Sequence, residues 1–410
     1  MKALQFTGSL LNYAVTRVVG RFWRPAFWGP LSCLAYREVP VPSLPGPDWA
    51  LVKTRYGGVC GSDVHLVLLE TSPTTSAFTS FPFTIGHENV GRLAEAGEGV
   101  KALGLRPGQR VVADLLLPCA VRGIEPPCPP CRRGDYSQCE NFARGTLAPG
   151  MLLGGCRDVG GSWSPYFLAH KSQLFAVPDT VSDEAAVLVE PLSVSLHAAA
   201  RALGGGPDRT VLVVGGGIIG LGVVAALRYL GDRSRVIVLA RHRHQADLAR
   251  ELGADEVVGT GPGWEGGLAE RLGAELRRPL VGRGVPDTGA AVVFECAGTA
   301  SALDTALRFA APGGRVVLAG LAAAPRGIDW SFVWRKELTV VGTFCSGTDT
   351  DADGRRKRTF QIALDLLAAS RFDFGRLVTH RFRLADYKRA LATVTAKGRS
   401  KVVKAVFEFD

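Results

Sequence analysis

The sequence predicts an α/β protein of two domains, a small β-rich domain followed by a doubly wound parallel sheet. Three observations carry this. Over the first 180 residues short strands are cut by Pro and Gly; from residue 210 to about 345, β-branched runs alternate with helical stretches; and 410 residues exceed one ordinary core, since domains usually hold roughly 100 to 200 residues. The boundaries read from the sequence are 1–180 with 346–410 for the first domain and 181–345 for the second.

Residues 9–24 place Leu11, Val15, Val18 and Phe22 near one helical face, with Arg17, Arg21 and Arg24 elsewhere. A helix lying on a membrane surface has this pattern, but a packed or partly covering insertion is the favoured reading. Gln5, Thr7, Asn12 and Arg17 break the apolar core that a signal peptide needs. No run reaches the roughly 18 to 20 apolar residues of a membrane span. ALVKTRY, VGRLAEAG and QRVVAD then read as short strands.

Among those strands lie CGSDVH, residues 60–65, and GHE, residues 86–88. Cys60 and His87 offer a thiolate and an imidazole, donors with which catalytic zinc is held while one position stays open. A lone Cys is usually core and a lone His is usually only hydrogen-bonded; the pairing ahead of a nucleotide-binding domain is what gives the motifs weight. Four of the nine cysteines, Cys119, Cys128, Cys131 and Cys139, crowd one segment, which reads as a metal knot in a reducing compartment rather than a disulfide framework. Cys33, Cys156, Cys296 and Cys345 stand alone and read as small buried apolar residues.

The second domain runs TVLVVGG, IIGLGVVAALRYLG, RVIVLA, HQADLARELG, DEVVG, then AAVVFECAG, SALDTALRFA and GRVVLAG. Continuous apolar strands joined by helices indicate a parallel sheet covered on both faces. Gly215, Gly217 and Gly220, with Ile218 and Ile219 between them, follow a strand and open a helix. They can make the tight turn, admit a pyrophosphate and let helix meet sheet, with the phosphates on free N–H groups at the helix start. The next strand ends in Ala240-Arg241-His242-Arg243, where a site for NAD(H) normally carries an acid for the ribose hydroxyl. Arg241 and Arg243 instead suit a 2′-phosphate, so NADP(H) is favoured over NAD(H). The tail from about 376 reads as an amphipathic helix and a closing strand that returns to the first domain.

The formal charge of +10 is spread along the chain without an aromatic-interleaved basic stripe, so nucleic acid is not an expected partner. A phosphate-bearing small ligand accounts for it equally well. The expectation is a cytoplasmic enzyme with neither nucleic-acid nor membrane partner.

CGSDVH, GHENVG, the cysteine cluster, VEPLSVSLHA, VVGGGIIGLG and FECAG together resemble the zinc-containing medium-chain dehydrogenase family, which includes alcohol, sorbitol, threonine and archaeal glucose dehydrogenases, over nearly the whole chain. The resemblance implies a GroES-like catalytic domain and a Rossmann domain, a homodimer or homotetramer, and hydride exchange between the nicotinamide and a secondary alcohol, polyol or sugar. It implies Cys60 and His87 as zinc ligands, with Glu88 or Glu190 as the carboxylate and Asp63 orienting the imidazole. Ser62 matches the relay hydroxyl, which passes the alcohol proton towards His65. The cysteine cluster matches a structural zinc lobe, except that the family's first cysteine falls on Glu125; Cys119 is the favoured replacement and Glu125 the alternative. A zinc-free quinone or enoyl reductase would lack CGSDVH and GHE, and a non-catalytic nucleotide- or RNA-binding protein would have no use for metal ligands and a relay hydroxyl.

Overall fold

Short apolar runs in the first part of the chain produce a mostly antiparallel sheet whose central strand is buried along most of its length. A computed structural model describes residues 1–203 and 209–410. The chain divides into two compact units, Met1–Glu190 with Ala363–Asp410, and Pro191–Ile362. These limits lie beyond the expected 180 and 345, because the helices Val189–Ala200 and Thr359–Ala369 run through the boundaries.

In the first unit the strand Trp49–Val59 is the hub. It pairs with Asn89–Ala96, with Tyr166–His170 and with Lys404–Glu408 in a seven-stranded sheet. The chain end therefore returns to this unit, Ala405 standing opposite Val59. Leu4, Phe6, Trp28, Ile85, Trp163 and Phe407 close its core. Trp163 meets Phe407 edge to face at 4.9 Å, and its indole N–H donates to the Gly58 carbonyl at 2.9 Å, which satisfies the one polar atom of a fully buried ring.

The strands Lys2–Phe6 and Leu34–Glu38 pair antiparallel, Phe6 opposite Leu34, and the Thr7 amide donates to the Cys33 carbonyl at 2.7 Å. Residues 7–33 are thus an excursion from the end of a hairpin. Within it, the helix Leu10–Val19 is capped by Ser9 and covers part of the core, with Tyr13 packed against it. Its polar side faces the protein, Thr16 Oγ1 donating to the Leu31 carbonyl at 2.9 Å and Asn12 Nδ2 to that of Ser32 at 3.1 Å. Leu10, Leu11 and Val18 are exposed. These two side chains favour this orientation, because with the helix turned over the Leu31 and Ser32 carbonyls would lose these donors.

The second unit is a parallel sheet in the order Glu256–Gly259, Arg235–Ala240, Thr210–Val214, Ala290–Glu295, Ala310–Leu318, Thr339–Gly342. Strand order reverses beside Thr210–Val214, the place where such sheets bind nucleotides. Val211, Leu212, Val213, Val236, Ile237 and Val293 are wholly buried, each contributing roughly 1.5 to 3 kcal/mol. Among the described residues, no helix is long and apolar enough to cross a membrane.

Replacing Phe407 by Ala removes the ring against Trp163 from the closing strand. The expected cost is about 3 to 5 kcal/mol, read as a lowered urea midpoint in tryptophan fluorescence.

Candidate active site and metal centres

Cys60 ends the hub strand's path and caps the helix Gly61–Val67. Asp63, one turn in, turns back: its Oδ2 accepts from the Cys60 amide at 3.0 Å, and its Oδ1 lies 3.3 Å from His87 Nδ1. That contact orients the imidazole and leaves Nε2, 3.5 Å from Ser62 Oγ. Burial opposes charge on His87, but Asp63 and Cys60 outweigh it and hold its pKa well above the ordinary histidine value.

Cys60, His87 and Glu88 each place a ligand atom within 4.8 Å of the others. Glu190 is not in that group, although it is buried and feels its charges. Burial pushes the Glu190 carboxyl up to about 7, with His87 and Lys404 opposing the shift and Glu88 and Asp63 adding to it. His65 sits at the surface, Nδ1 2.7 Å from Glu70 Oε2, one turn from Ser62 on the same helix.

Sequence reasoning missed Lys404. Its side chain is 2% exposed and Glu88's is 0%, and Nζ lies 2.5 Å from Glu88 Oε1. Burial alone would depress the ammonium; Glu88, with Cys60 and Glu190, holds it above the usual lysine range. The signal was a lysine within the buried run of the closing strand, VVKAVF. Glu88 Oε2 is buried with no hydrogen-bond partner, a costly state that a cation would relieve, so this donor set fits a zinc ion.

The second centre gathers Cys119, Cys128, Cys131 and Cys139, all buried, their sulfurs within 4.8 Å. Cys119 Sγ is 3.7 Å and Cys128 Sγ 4.0 Å from Cys139 Sγ. Tetrahedral bonds of about 2.3 Å to one zinc would separate sulfurs by roughly 3.8 Å, so the spacing fits a metal and not a disulfide. Glu125 is exposed and outside the group. The amides of Cys128 and Asn141 donate to sulfur, and hydrogen bonds from Cys131 and other neighbours pull the Cys139 thiol down to about 5. The turn is held from within by Arg122, wholly buried, whose guanidinium donates to the carbonyls of Leu117, Arg144, Leu147, Ala148 and Gly150.

In the second unit, Gly215 turns at φ +114° after the strand Thr210–Val214, and the helix Ile218–Tyr229 starts after Gly217. A Cβ on Gly220 would lie 1.9 Å from the Gly215 carbonyl oxygen, whereas at Gly217 it would meet nothing within 4 Å. The loop therefore packs tightly behind and stays open in front, a cradle that fits a pyrophosphate. Ile218 and Ile219 form the first helical turn. Arg241 and Arg243, both exposed, flank the end of the neighbouring strand Arg235–Ala240. Glu295, buried at the end of Ala290–Glu295, accepts from the amides of Ala297 and Gly298 and shapes the turn beyond.

Two family profiles match, one described as "Alcohol dehydrogenase GroES-like domain" over residues 46–179 and one as "Zinc-binding dehydrogenase" over residues 219–369. Sorbitol dehydrogenase of Arabidopsis thaliana is 31% identical over 92% of this chain and 93% of its own. L-idonate 5-dehydrogenase of Vitis vinifera is 30% identical over 90% and 89%. Among solved structures, a Sinorhizobium meliloti protein described as a zinc-binding dehydrogenase and bound to NADP superposes with a TM-score of 0.69 at 29% identity, covering 92% of this chain and 96% of that one.

Replacing Arg122 by Met strands five carbonyls in the cysteine lobe. The expected loss is about 3 kcal/mol or more, with faster release of zinc from that lobe to a chromogenic chelator.

Proposed function

The chain belongs to the zinc-dependent medium-chain alcohol dehydrogenase family, and from that premise we propose that Cys60, His87 and Glu88 hold the zinc at which its alcohol or polyol substrate reacts. The protein is an oxidoreductase that exchanges a hydride between a nicotinamide cofactor and an alcohol or polyol carbon. The carrying observation is the convergence of those three donors around a buried carboxylate oxygen without a partner. A zinc ion held by these three residues would supply Lewis acidity to the substrate oxygen. Ser62, beside His87 Nε2, takes the alcohol proton and hands it outward to His65, which exchanges with solvent. Asp63 keeps the His87 ring turned. Glu190 stands by as a neutral-leaning acid, the second carboxylate of the site. The four buried cysteines hold a second, closed zinc that takes no part in the reaction.

For the cofactor, we favour NADP(H). Arg241 and Arg243 stand where an acid would select the ribose hydroxyl, and the NADP-bound relative supports the same reading. The glycine loop from Gly215 to Gly220 takes the pyrophosphate.

Zinc content after dialysis separates the two carboxylates. Glu88→Gln is expected to retain about tenfold less catalytic zinc or worse, and Glu190→Gln to retain it; the reverse result would make Glu190 the ligand. For the cofactor, replacing Arg241 and Arg243 by Ala should lower kcat/KM with NADPH by roughly ten- to a hundredfold while NADH changes little. Equal losses with both cofactors would assign these arginines no 2′-phosphate.

A further inference from the structure

Residues 7–33 leave and re-enter a hairpin whose two strands are already paired with each other, and nothing in the proposed reaction uses them. Their helix is built inside out. Asn12 and Thr16 serve the protein side, while Leu10, Leu11, Ala14 and Val18 fall on the opposite face, spaced as one stripe. Leu10 is 84% exposed, Leu11 73%, Val18 61%, Phe22 89%, Trp23 58% and Leu31 65%. Scattered apolar residues on a surface need no account, but six large ones gathered on one excursion do.

Charge decides what covers them. Residues 1–37 contain Lys2, Arg17, Arg21, Arg24 and Arg37 and no Asp or Glu. The carboxylates on neighbouring elements are engaged: Glu70, next to the Leu69 carbonyl that Arg17 reaches, pairs with His65. Asp386, on the segment that packs beside Arg24–Trp28, pairs with Arg389, and Lys388 adds another cation there. A second copy docking through the same face would set Arg21 and Arg24 against their own kind with no carboxylate in either segment to answer them.

We propose that this face docks on an anionic phospholipid surface, Leu10, Leu11, Val18, Phe22 and Trp23 entering the acyl boundary and Arg21 and Arg24 meeting the headgroups. An apolar stripe with flanking arginines and an aromatic end is the composition of an interfacial helix, and Trp settles at that depth because one edge of its ring is wet and the rest apolar. Lipid charge attracts each nearby arginine within a Debye length. Such docking would hold the enzyme on a surface without spanning it.

The test is flotation of the full-length, zinc-loaded enzyme with vesicles of phosphatidylcholine alone or of phosphatidylcholine with phosphatidylserine. Binding is expected on the anionic vesicles only, weakening as salt rises. Leu11→Glu with Phe22→Ser, and separately Arg21→Glu with Arg24→Glu, should each lower the vesicle-bound fraction's partition coefficient by about tenfold or more. Far-ultraviolet dichroism and turnover of a soluble alcohol should stay unchanged, which excludes unfolding. Equal binding to neutral vesicles would overturn the electrostatic half of the proposal. Absence of binding would overturn it altogether, and a dimer in sedimentation that Leu11→Glu dissolves would give the face to a second copy.

Discussion

Lys404 comes from the last strand of the chain and Glu88 from the loop that carries His87, and the two meet where water does not reach. Neither charge is tolerable there without the other, since an unpaired buried ion costs several kcal/mol. The pair therefore obliges the tail to return to the first unit, in a register that puts Ala405 opposite Val59. It also places the Glu88 carboxylate with one oxygen committed to the ammonium and the other unmet. With it go the position of the Glu88 donor and the closure of the core by Phe407.

The two metal centres are built on opposite physical plans. The first mixes donor types, a sulfur, carboxylates, an imidazole and a buried ammonium near one another. The second is uniform: four sulfurs, amide donors aimed at them, and a guanidinium whose partners are all backbone carbonyls. Arg122 has no carboxylate partner among its hydrogen bonds, and its positive charge lies among the thiols, where it favours their thiolate form. The first plan suits chemistry and the second suits shape.

Much of this was legible in the sequence, for reasons that differ by element. The parallel sheet was, because strands buried on both faces must be apolar throughout, as in TVLVV and RVIVLA, and because Gly215 and Gly220 have no alternative where a Cβ would strike backbone. Cys60 and His87 were singled out by residue type and motif and Asp63 by the family resemblance, and the structure brings the three together. Lys404 was not: its partner lies at the far end of the chain, and no periodicity reveals an ion pair between Glu88 and a closing strand. The choice between Cys119 and Glu125 likewise depended on how the chain folds back between 119 and 128. Helical periodicity found the stripe of Leu11 and Val18 but not which way it faces, since hydrogen bonds from Asn12 and Thr16 to carbonyls beyond the helix are invisible to hydropathy.

The bond from the Thr7 amide to the Cys33 carbonyl closes the hairpin below the excursion, so the register of the strands is insulated from what lies above it. Because strand pairing is already complete there, the cost of a longer or shorter excursion is one of loop closure, which grows only slowly with length. The outward stripe of that segment can then drift, lengthen or be exchanged in sequence while the metal donors below it keep their places. Hydrogen-bonding side chains on its inner face, and the anchoring Trp28, are what such exchange would have to preserve. The scaffold thus lets the excursion change while the geometry of the chemistry below it stays fixed.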